Sequence, residues 1–354
     1  MKKALKITGK VLVILVAILA VCVISLLILY RDQIATISSI EQIDDYPIYT
    51  MDYKGTYWFD DFMETPGMTS DEEFTSFFKS KLTHGLFDST GAVTQKPAAM
   101  CTCFVCENEN GDILYGRNLE QNRYCPSVVV ATHDGRHDTL GTSFLAYTPE
   151  GTPGLLEKVN MLVEPYFTAD GMNDAGLAIS LLSVPYSAVP KNEDTPLLNA
   201  DQVCRLILNE AGTIDEAVAL FDEFTLKSSI IDSLSACHFL IADRSGGMAV
   251  VELHNGKVDV VEPIHDNYMT VTNFYLNDEI SSGVGQGRYK FVEAALEEKG
   301  GVLSEQEALE LLASVQDPNI HAEWSCVYNL TTGEMYIMPK ADLTRIHKIE
   351  YSIY

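Results

Sequence analysis

Three closely spaced cysteines, Cys101, Cys103 and Cys106, are the first residues of this sequence whose side chains could carry chemistry. A deprotonated thiol is a strong nucleophile, and thiolates also bind zinc. Zinc is disfavoured because no second Cys/His pair stands at ligand spacing, and because alternation along a strand would split the three thiols between two faces. We therefore predict no metal site and expect Cys103 and Cys106 to be small buried side chains.

A thiol nucleophile of the papain type requires a histidine close to the cysteine. His133, His137 and His238 are available in the sequence. However, the Cys-Gly-Ser-Cys-Trp signature of papain-like enzymes is absent around Cys101. That mechanism is therefore disfavoured, and a catalytic role for Cys101 depends on the motifs that surround it.

The segment that begins at Cys101 has the pattern of a β-hairpin. Residues 101–107 and 113–117 are predicted strands, and the Asn-Glu-Asn-Gly-Asp sequence between them is typical of a turn. Further strands are predicted near residues 128–132, 177–183, 238–242, 249–253, 257–261, 269–272, 325–330 and 334–338.

Helical periodicity is concentrated in a few stretches between these strands. Apolar residues recur at helical spacing in residues 199–210, 214–224, 289–298 and 305–312. Ser304 is a predicted N-cap, since acidic residues follow it. Many strands with clustered helices favour an α+β fold in which two sheets are covered by helix layers, rather than a regular β-α-β repeat.

The first thirty residues have the composition of a membrane anchor. Residues 11–30 are apolar except for Cys22 and Ser25, and twenty helical residues span roughly 30 Å, the thickness of a bilayer core. The lysines that precede them favour a cytoplasmic N-terminus. A cleaved signal peptide is the alternative, but its apolar region would be shorter and would end in small residues. We predict an uncleaved single-pass anchor in the cell membrane, with the catalytic mass extracytoplasmic.

Three regions are predicted along the chain. Residues 1–30 form the cytoplasmic stub and anchor, residues 31–100 a spacer or pro-segment without an independent core, and residues 101–354 the main domain. A helix capped by Ser70 is expected in the second region. Seven cysteines follow the anchor, and an odd number outside the cell indicates a free thiol.

The overall composition limits the classes of partner. The chain has 354 residues, 47% of them hydrophobic and 21% charged, which is typical of a globular protein. It carries 24 basic and 50 acidic residues, a formal net charge of −26. We therefore expect nucleic acid and anionic lipid head groups to be poor partners, because both would be repelled.

Several blocks of sequence, taken in order, identify a family. They are Met-Cys-Thr-Cys-Phe at 100–104, Gly-Asp-Ile-Leu-Tyr-Gly-Arg-Asn-Leu-Glu at 111–120, Asp-Gly-Met-Asn-Asp-Ala-Gly-Leu at 170–177, Leu-Ile-Ala-Asp-Arg-Ser-Gly at 240–246, Val-Val-Glu at 250–252, Thr-Asn at 272–273 and Gly-Arg-Tyr at 287–289. They resemble the choloylglycine hydrolase family of conjugated bile acid hydrolases and penicillin V acylases, which belongs with the N-terminal-nucleophile (Ntn) hydrolases. The resemblance covers roughly residues 101–340. It implies an αββα Ntn sandwich and hydrolysis of a linear amide C–N bond.

The chemistry of this family suits the residues present. If the Met100–Cys101 bond is cut, Cys101 supplies both a thiol and a free α-amine. Reference pKa values are about 7.7–8.0 for the amine and about 8.5 for the thiol, so the amine can accept the thiol proton without histidine. Thiolate attack on an amide then gives a tetrahedral intermediate and an acyl-enzyme, which water resolves. This mechanism requires no metal or organic cofactor.

The resemblance implies further roles, one residue at a time. Arg117, sixteen residues after Cys101, matches the guanidinium that stabilises the thiolate. Asn273 matches the side-chain donor of the oxyanion hole, a role worth about 3–4 kcal/mol in comparable enzymes. Arg288 matches a second arginine of the active site. Glu120 stands where the family has an aspartate that orients the new amine.

Two positions depart from the family pattern. Glu120 keeps the charge of the aspartate but adds a methylene, which changes its hydrogen-bond geometry to the amine. Ser183 falls where bile acid enzymes have asparagine, which changes a contact with the substrate and weakens a bile-salt assignment. Asn173 and Ser183 are predicted to bind substrate, although Asn173 is also expected in the turn before the strand at 177–183.

The sequence thus predicts a membrane-anchored amidase for an N-acyl small molecule, activated by autocatalytic cleavage of Met100–Cys101. One alternative is an acyltransferase, which would share the acyl-enzyme and differ only in the acceptor. Another is a non-catalytic receptor on a decayed Ntn scaffold, against which Cys101 and Arg117 argue. The acyl group, the leaving amine and the oligomeric state, a homo-oligomer included, are left open.

Overall fold

Two β-sheets face each other in the computed structural model, which describes residues 2–85, 100–121, 126–145, 153–227, 236–277, 282–316 and 320–351, and only the backbone of residues 2–9 and 321. The strands are β1 (Glu41–Asp44), β2 (Ile48–Asp52), β3 (Met100–Glu107), β4 (Ile113–Gln121), β5 (Ser127–Thr132), β6 (Thr139–Phe144), β7 (Thr168–Asn173), β8 (Leu177–Val184), β9 (Leu197–Leu198), β10 (Thr225–Leu226), β11 (Ala236–Asp243), β12 (Met248–His254), β13 (Lys257–Val261), β14 (Met269–Val271), β15 (His321–Asn329), β16 (Glu334–Pro339) and β17 (His347–Ile349). The α-helices are α1 (Lys2–Leu29), α2 (Arg31–Ser39), α3 (Phe59–Met63), α4 (Asp71–Leu82), α5 (Leu155–Asn160), α6 (Ala200–Glu210), α7 (Ile214–Ala219), α8 (Gln286–Glu298) and α9 (Glu305–Ser314).

The larger sheet has nine strands in the order β1-β2-β5-β6-β7-β8-β11-β12-β13, and the smaller has six in the order β14-β3-β4-β15-β16-β17. Within these two sheets all described neighbours are antiparallel except β2 and β5, which run parallel, and the short strands β9 and β10 form a separate parallel pair. The strand that begins at Cys101 lies inside the six-stranded sheet, between β14 and β4. The hairpin and the strands predicted from the sequence are therefore confirmed.

Alternation along β3 places its cysteines on two faces. Cys101 and Cys103 belong to the large core that also contains Leu240 of the facing sheet, whereas Cys106 packs in a second core with Leu312 of α9. This is the division expected for a strand. Burial raises the pKa of the Cys103 and Cys106 thiols well above the usual value, which is the behaviour of inert core cysteines.

Helices cover the outer faces of both sheets. Helices α6 and α7 pack on strands of the nine-stranded sheet, and α8 and α9 pack on strands of the six-stranded sheet. Helix α9 begins with the predicted cap, since the Ser304 side chain accepts a hydrogen bond from the Glu307 N–H. The result is a mixed α+β fold with helix, sheet, sheet and helix layers, as the sequence pattern predicted.

Helix α1 contains the apolar run. Its segment Lys10–Leu29 has a mean hydropathy of 3.5 and is not buried against the rest of the protein. This length and composition are sufficient to cross a bilayer, and a signal sequence would satisfy the same criteria.

The described part of residues 31–100 is not a spacer, contrary to that interpretation of the sequence. Strand β2 pairs with β5 over residues Ile48 to Asp52, and Tyr49, Met51 and Phe62 are fully buried in the large core. The segment thus has no core of its own, as expected, but it shares the core of the main domain. Residues 86–99 lie outside the described residues, and removal of a pro-segment stays a prediction.

Candidate active site

Cys101 lies near the start of β3 and is completely buried. Its backbone N–H donates to Asn273 Oδ1 at 2.8 Å, and Arg117 Nη1 lies 3.6 Å from its Sγ atom. Its carbonyl oxygen accepts a hydrogen bond of 2.6 Å from Arg288 Nη1. Three of the residues predicted from the sequence to act with Cys101 therefore meet at this one residue.

Arg117 reaches the sulfur because of strand register. In β4 it stands opposite Cys103, so its side chain emerges on the same face as Cys101 and Cys103. The guanidinium is fully buried between the sheets, where its Nε lies 2.6 Å from an Asp170 carboxylate oxygen and its Nη2 donates to the Leu181 carbonyl. A buried guanidinium with these partners is a fixed positive charge beside the sulfur.

Asp170 is a residue of the site to which the sequence reasoning gave no role. Besides Arg117, its carboxylate accepts hydrogen bonds from Tyr328 Oη at 2.5 Å and from Trp324 Nε1 at 3.3 Å. Asp170 opens the Asp-Gly-Met-Asn block, so its place in that family motif was the available signal. Its contact with Arg117, however, forms between strands that are far apart in the sequence, and a single sequence does not reveal such packing.

Arg288 joins the site from the helix layer. It is in the first turn of α8, 9% exposed, and its Nη1 donates to both the Cys101 carbonyl and Thr102 Oγ1. Its Nη2 donates to Asn273 Oδ1 at 2.8 Å. The planar guanidinium of Arg288 donates to several acceptors at once, and lysine would be a poor substitute for it here.

Glu120 contacts Arg288 rather than the sulfur. Its Oε2 atom lies 3.2 Å from Arg288 Nη1, and the residue stands opposite Met100 in the β3–β4 ladder. The carboxylate is fully buried next to the peptide bond that the sequence predicts to be cut. Its place beside that bond is compatible with the predicted role toward the new amine, which stays a prediction.

The orientation of the Asn273 side-chain amide follows from its partners. Its Oδ1 faces two N–H donors, from Cys101 and Arg288, and its Nδ2 faces the Ser183 carbonyl oxygen at 2.8 Å. The opposite orientation would place an NH₂ group against donors, so this assignment is the only one that satisfies the network. Ser183 enters the site through this backbone carbonyl, and one Nδ2 hydrogen is used by it.

A buried pair, His238 and Glu252, holds the chain on both sides of Asn273. His238 Nε2 lies 2.7 Å from the Thr272 carbonyl, and its Nδ1 lies 3.3 Å from Glu252 Oε1. The Glu252 carboxylate accepts the N–H groups of Leu276 and Asn277. His238 was considered only as a partner for a papain-type thiol, and Glu252 only as part of a motif.

The electrostatic environment of Cys101 contains opposing contributions. Burial raises the pKa of the thiol, the positive charges of Arg117 and Arg288 lower it, and Glu120 raises it, with a net increase over the usual value. Burial opposes the charge of Arg117, but Cys101 and Asp170 beside it raise the Arg117 pKa well above the usual value.

Asn173, the second residue predicted to bind substrate, is bonded elsewhere. Its Nδ2 donates to the carbonyls of Leu208 and Ala211 at the end of α6, and its Oδ1 accepts the Leu177 N–H. These bonds favour the structural role in the turn before β8. A contact between Asn173 and substrate stays a prediction that these bonds do not support.

Two other expectations from the sequence were that there is no metal site and that no histidine acts with Cys101 as in papain-type enzymes. Among the described residues, no group of three or more His, Cys, Asp or Glu side chains has the arrangement of a metal site. His137 is bonded to Asp174, and His133 lies against Asp52 and Asp138. With His238 committed to Thr272, these three histidines have partners other than Cys101, which argues against a papain-type pair.

A cavity of about 230 Å³ is lined by residues of β14 and by residues next in sequence to Asn273 and Arg288, although neither Cys101 nor its three partners line it. Phe274, the neighbour of Asn273, and Tyr289, the neighbour of Arg288, both line it. Ile264 and Tyr268 supply further apolar surface, and Glu262, His265 and Glu293 supply polar atoms. A mainly apolar hollow with a few polar groups is the usual form of a small-molecule pocket.

Comparison with known proteins agrees with this geometry. Residues 101–275 match the family described as linear amide C-N hydrolases, choloylglycine hydrolase family. The match begins at Cys101 and includes Asn273. The resemblance to the choloylglycine hydrolase family is therefore confirmed, and the described class is that of hydrolases of linear amide C–N bonds.

Individual proteins are also similar to this chain in sequence or in fold. The chain is 32% identical over 116 residues to the penicillin V acylase of Pectobacterium atrosepticum, a match that spans 30% of this chain and 30% of that enzyme. The fold is similar to that of the conjugated bile acid hydrolase from Clostridium perfringens, with a TM-score of 0.51 and 16% identity over 72% of this chain and 94% of that one. The penicillin V acylase from Agrobacterium tumefaciens gives a TM-score of 0.51 with 19% identity, covering 70% and 86%.

Proposed function

We propose that this protein is an Ntn-type cysteine amidase that hydrolyses the linear C–N amide bond of an N-acyl small molecule. The observation that carries the proposal is the convergence of Arg117, Asn273 and Arg288 on the sulfur, backbone nitrogen and carbonyl of Cys101. The match to the choloylglycine hydrolase family, which starts at the same cysteine, supports it independently.

The nucleophile is created by cleavage of Met100–Cys101. Cys101 Sγ attacks the Met100 carbonyl carbon, the C–N bond breaks, and the nitrogen leaves as the α-amine of Cys101 with the proton of the thiol. Water then hydrolyses the thioester and leaves a carboxylate on Met100. Because the sulfur is fully buried in the uncut chain, movement of the freed Met100 end is also required before substrate can reach it.

Turnover uses the same two atoms of Cys101. The α-amine takes the thiol proton, and the thiolate, stabilised by Arg117, attacks the carbonyl carbon of the substrate. The second hydrogen of Asn273 Nδ2, which Ser183 does not use, is available for the oxyanion. The amine returns the proton to the leaving nitrogen, and water attacks the resulting thioester to release the acid.

The proposed location is the cell membrane. Helix α1 is long and apolar enough to span it, and the lysines before the apolar run favour a cytoplasmic N-terminus. The amidase domain then lies outside the cytoplasm. Detergent-dependent extraction is the expected result, with residues 1–30 intact in the N-terminal fragment of the purified protein; a purified protein in which no fragment retains these residues would contradict the anchor.

Intact-mass measurement of the purified protein tests the mechanism most directly. We expect a fragment that begins with Cys101, and no such fragment from the Cys101→Ala variant. Cys103→Ala is the matched control, because Cys103 is equally buried on the same face and should be processed normally. An active chain that begins at any other residue would overturn the proposal.

A substrate panel separates the remaining alternatives. Penicillin V, bile acid conjugates and N-acyl homoserine lactones should be tested with and without added amines. Release of free acid supports the amidase, and preferential transfer to an amine would identify an acyltransferase. Binding without turnover, in a chain that has been processed, would identify a receptor on a decayed scaffold.

A further inference from the structure

Residues 40–78 are built into the domain that follows Cys101. Strand β2 extends the nine-stranded sheet by parallel pairing with β5 from Ile48↔Ser127 to Asp52↔Ala131. The chain continues the ladder on both sides, because Ser127 N–H donates to the Pro47 carbonyl and Tyr53 N–H donates to the Ala131 carbonyl. These bonds join residues on opposite sides of the predicted cleavage site.

An aromatic cluster makes a second connection between the two parts. Tyr166, which follows the cleavage site, is surrounded at ring-centroid distances between 5.1 and 6.1 Å by five rings that precede it: Tyr57, Phe59, Phe62, Phe74 and Phe78. All six rings are buried. Separation of the two parts would expose this whole cluster to water, which is strongly unfavourable.

Polar contacts fix the same interface at its edges. Tyr57 Oη donates to Asn209 Oδ1 at 2.8 Å, and Tyr166 Oη donates to the Tyr57 carbonyl at 2.7 Å. Asp44 pairs with His347 and Arg345, close to the other end of the chain. Such fixed pairs specify one geometry for the docked segment.

We infer that residues 31–85 stay bound without a covalent link after the chain is cut at Met100–Cys101, and that they tether the amidase domain to the membrane through α1. The inference rests on the proposed function for the cut itself. It adds that the mature protein has two chains, and that the fragment before Cys101 is a permanent subunit. Helix α2 follows α1 after a single residue and contacts β2, so the tether is short.

The test uses the full chain with an affinity tag at each end. After native purification through the N-terminal tag, we expect the fragment that begins at Cys101 to co-elute in equal molar amount, and to remain in the membrane fraction after a high-salt wash. Recovery of that fragment in the soluble fraction would overturn the inference.

A second arm separates this inference from the cleavage mechanism. In the Cys101→Ala variant, a protease recognition sequence inserted between Gly85 and Met100 allows the chain to be cut from outside. Retention of the distal fragment after this cut supports the inference even if the wild-type chain is never processed. Release after this cut overturns it, whatever happens at Cys101.

Discussion

Arg117 and Arg288 both reach Cys101, but the fold holds them in different ways. Arg117 comes from the middle of a strand, is closed between two sheets, and is ion-paired to Asp170. Arg288 comes from the first turn of a helix, keeps slight exposure, and spreads its donors over Cys101, Thr102 and Asn273. One arginine is thus part of the core that supports the sulfur, whereas the other organises the polar groups around the backbone of Cys101. The two should therefore differ in how strongly stability and activity depend on them.

The largest effect is expected for Arg117→Met. It removes the charge beside the sulfur and leaves Asp170 buried without its ion-pair partner, which typically costs about 3–5 kcal/mol. Both turnover and the free energy of unfolding should fall steeply, as measured by product release and by denaturant titration. The Arg117→Met/Asp170→Asn double variant should recover part of the stability but no activity; recovered activity would contradict a role at the thiolate.

Arg288→Met should affect activity more than stability. Loss of the donors to Asn273 and to the Cys101 carbonyl should reduce kcat by about 10²-fold, in the range seen when an oxyanion-hole donor is removed. The cost in unfolding free energy should be about 1–3 kcal/mol, since the acceptors left behind on Cys101, Thr102 and Asn273 are buried. Compared with Arg288→Met, Arg288→Lys should recover more of the stability than of kcat. Equal recovery of both would argue against a requirement for the planar guanidinium.

Substitutions of His238 and Glu252, the buried pair that holds the chain on both sides of Asn273, should have a smaller effect on activity. Glu252→Gln replaces one acceptor of the Leu276 and Asn277 N–H groups and should lower kcat by about tenfold with little change in KM, because misplacement of a catalytic group by a fraction of an ångström is costly. His238→Gln should behave in the same direction. Glu310→Gln on α9 is the control, and an equal loss in that variant would show a non-specific effect of charge.

The smallest effect is expected far from both arginines, at the start of α9. Ser304→Ala removes the N-cap and should cost about 1 kcal/mol of stability with unchanged kcat.

Bonds from Lys299 and from Ser304 lower the pKa of Glu307 to about 2. Because this value is below the usual one, the contribution of Glu307 is present at neutral pH and is lost as the pH falls from about 4.5 towards 2. The Tm difference between wild type and Glu307→Gln should therefore narrow with acidification; a constant difference would contradict the assignment.

The strand positions of the site could be predicted, and the contacts that cross the molecule could not. Cys101 and Arg117 lie in one hairpin, where local turn chemistry and period-two alternation determine the register. Arg288 and Asn273 were found through family motifs rather than through spacing. Asp170 and the His238–Glu252 pair escaped assignment, because their roles arise only when strands distant in sequence are packed together.

The segment before Cys101 shows the same limit on a larger scale. Residues 31–85 contain short elements rich in polar residues, which indicated a spacer, yet β2 pairs with a strand about eighty residues further along the chain. A parallel pair requires a long connection, so nothing close to β2 in the sequence marks its partner. Composition thus predicted the lack of an independent core correctly but missed the shared one.

The acceptor role of Asn273 has a consequence for the terminal nitrogen that cleavage would create. While Oδ1 accepts one N–H of Cys101, rotation of that nitrogen about its bond to Cα is restricted. An amine held in this way presents its lone pair to the remaining directions, one of which is the thiol on the same residue. The side-chain oxygen of Asn273 would thus restrict rotation of the Cys101 α-amine and keep this base directed at the thiol of the same residue.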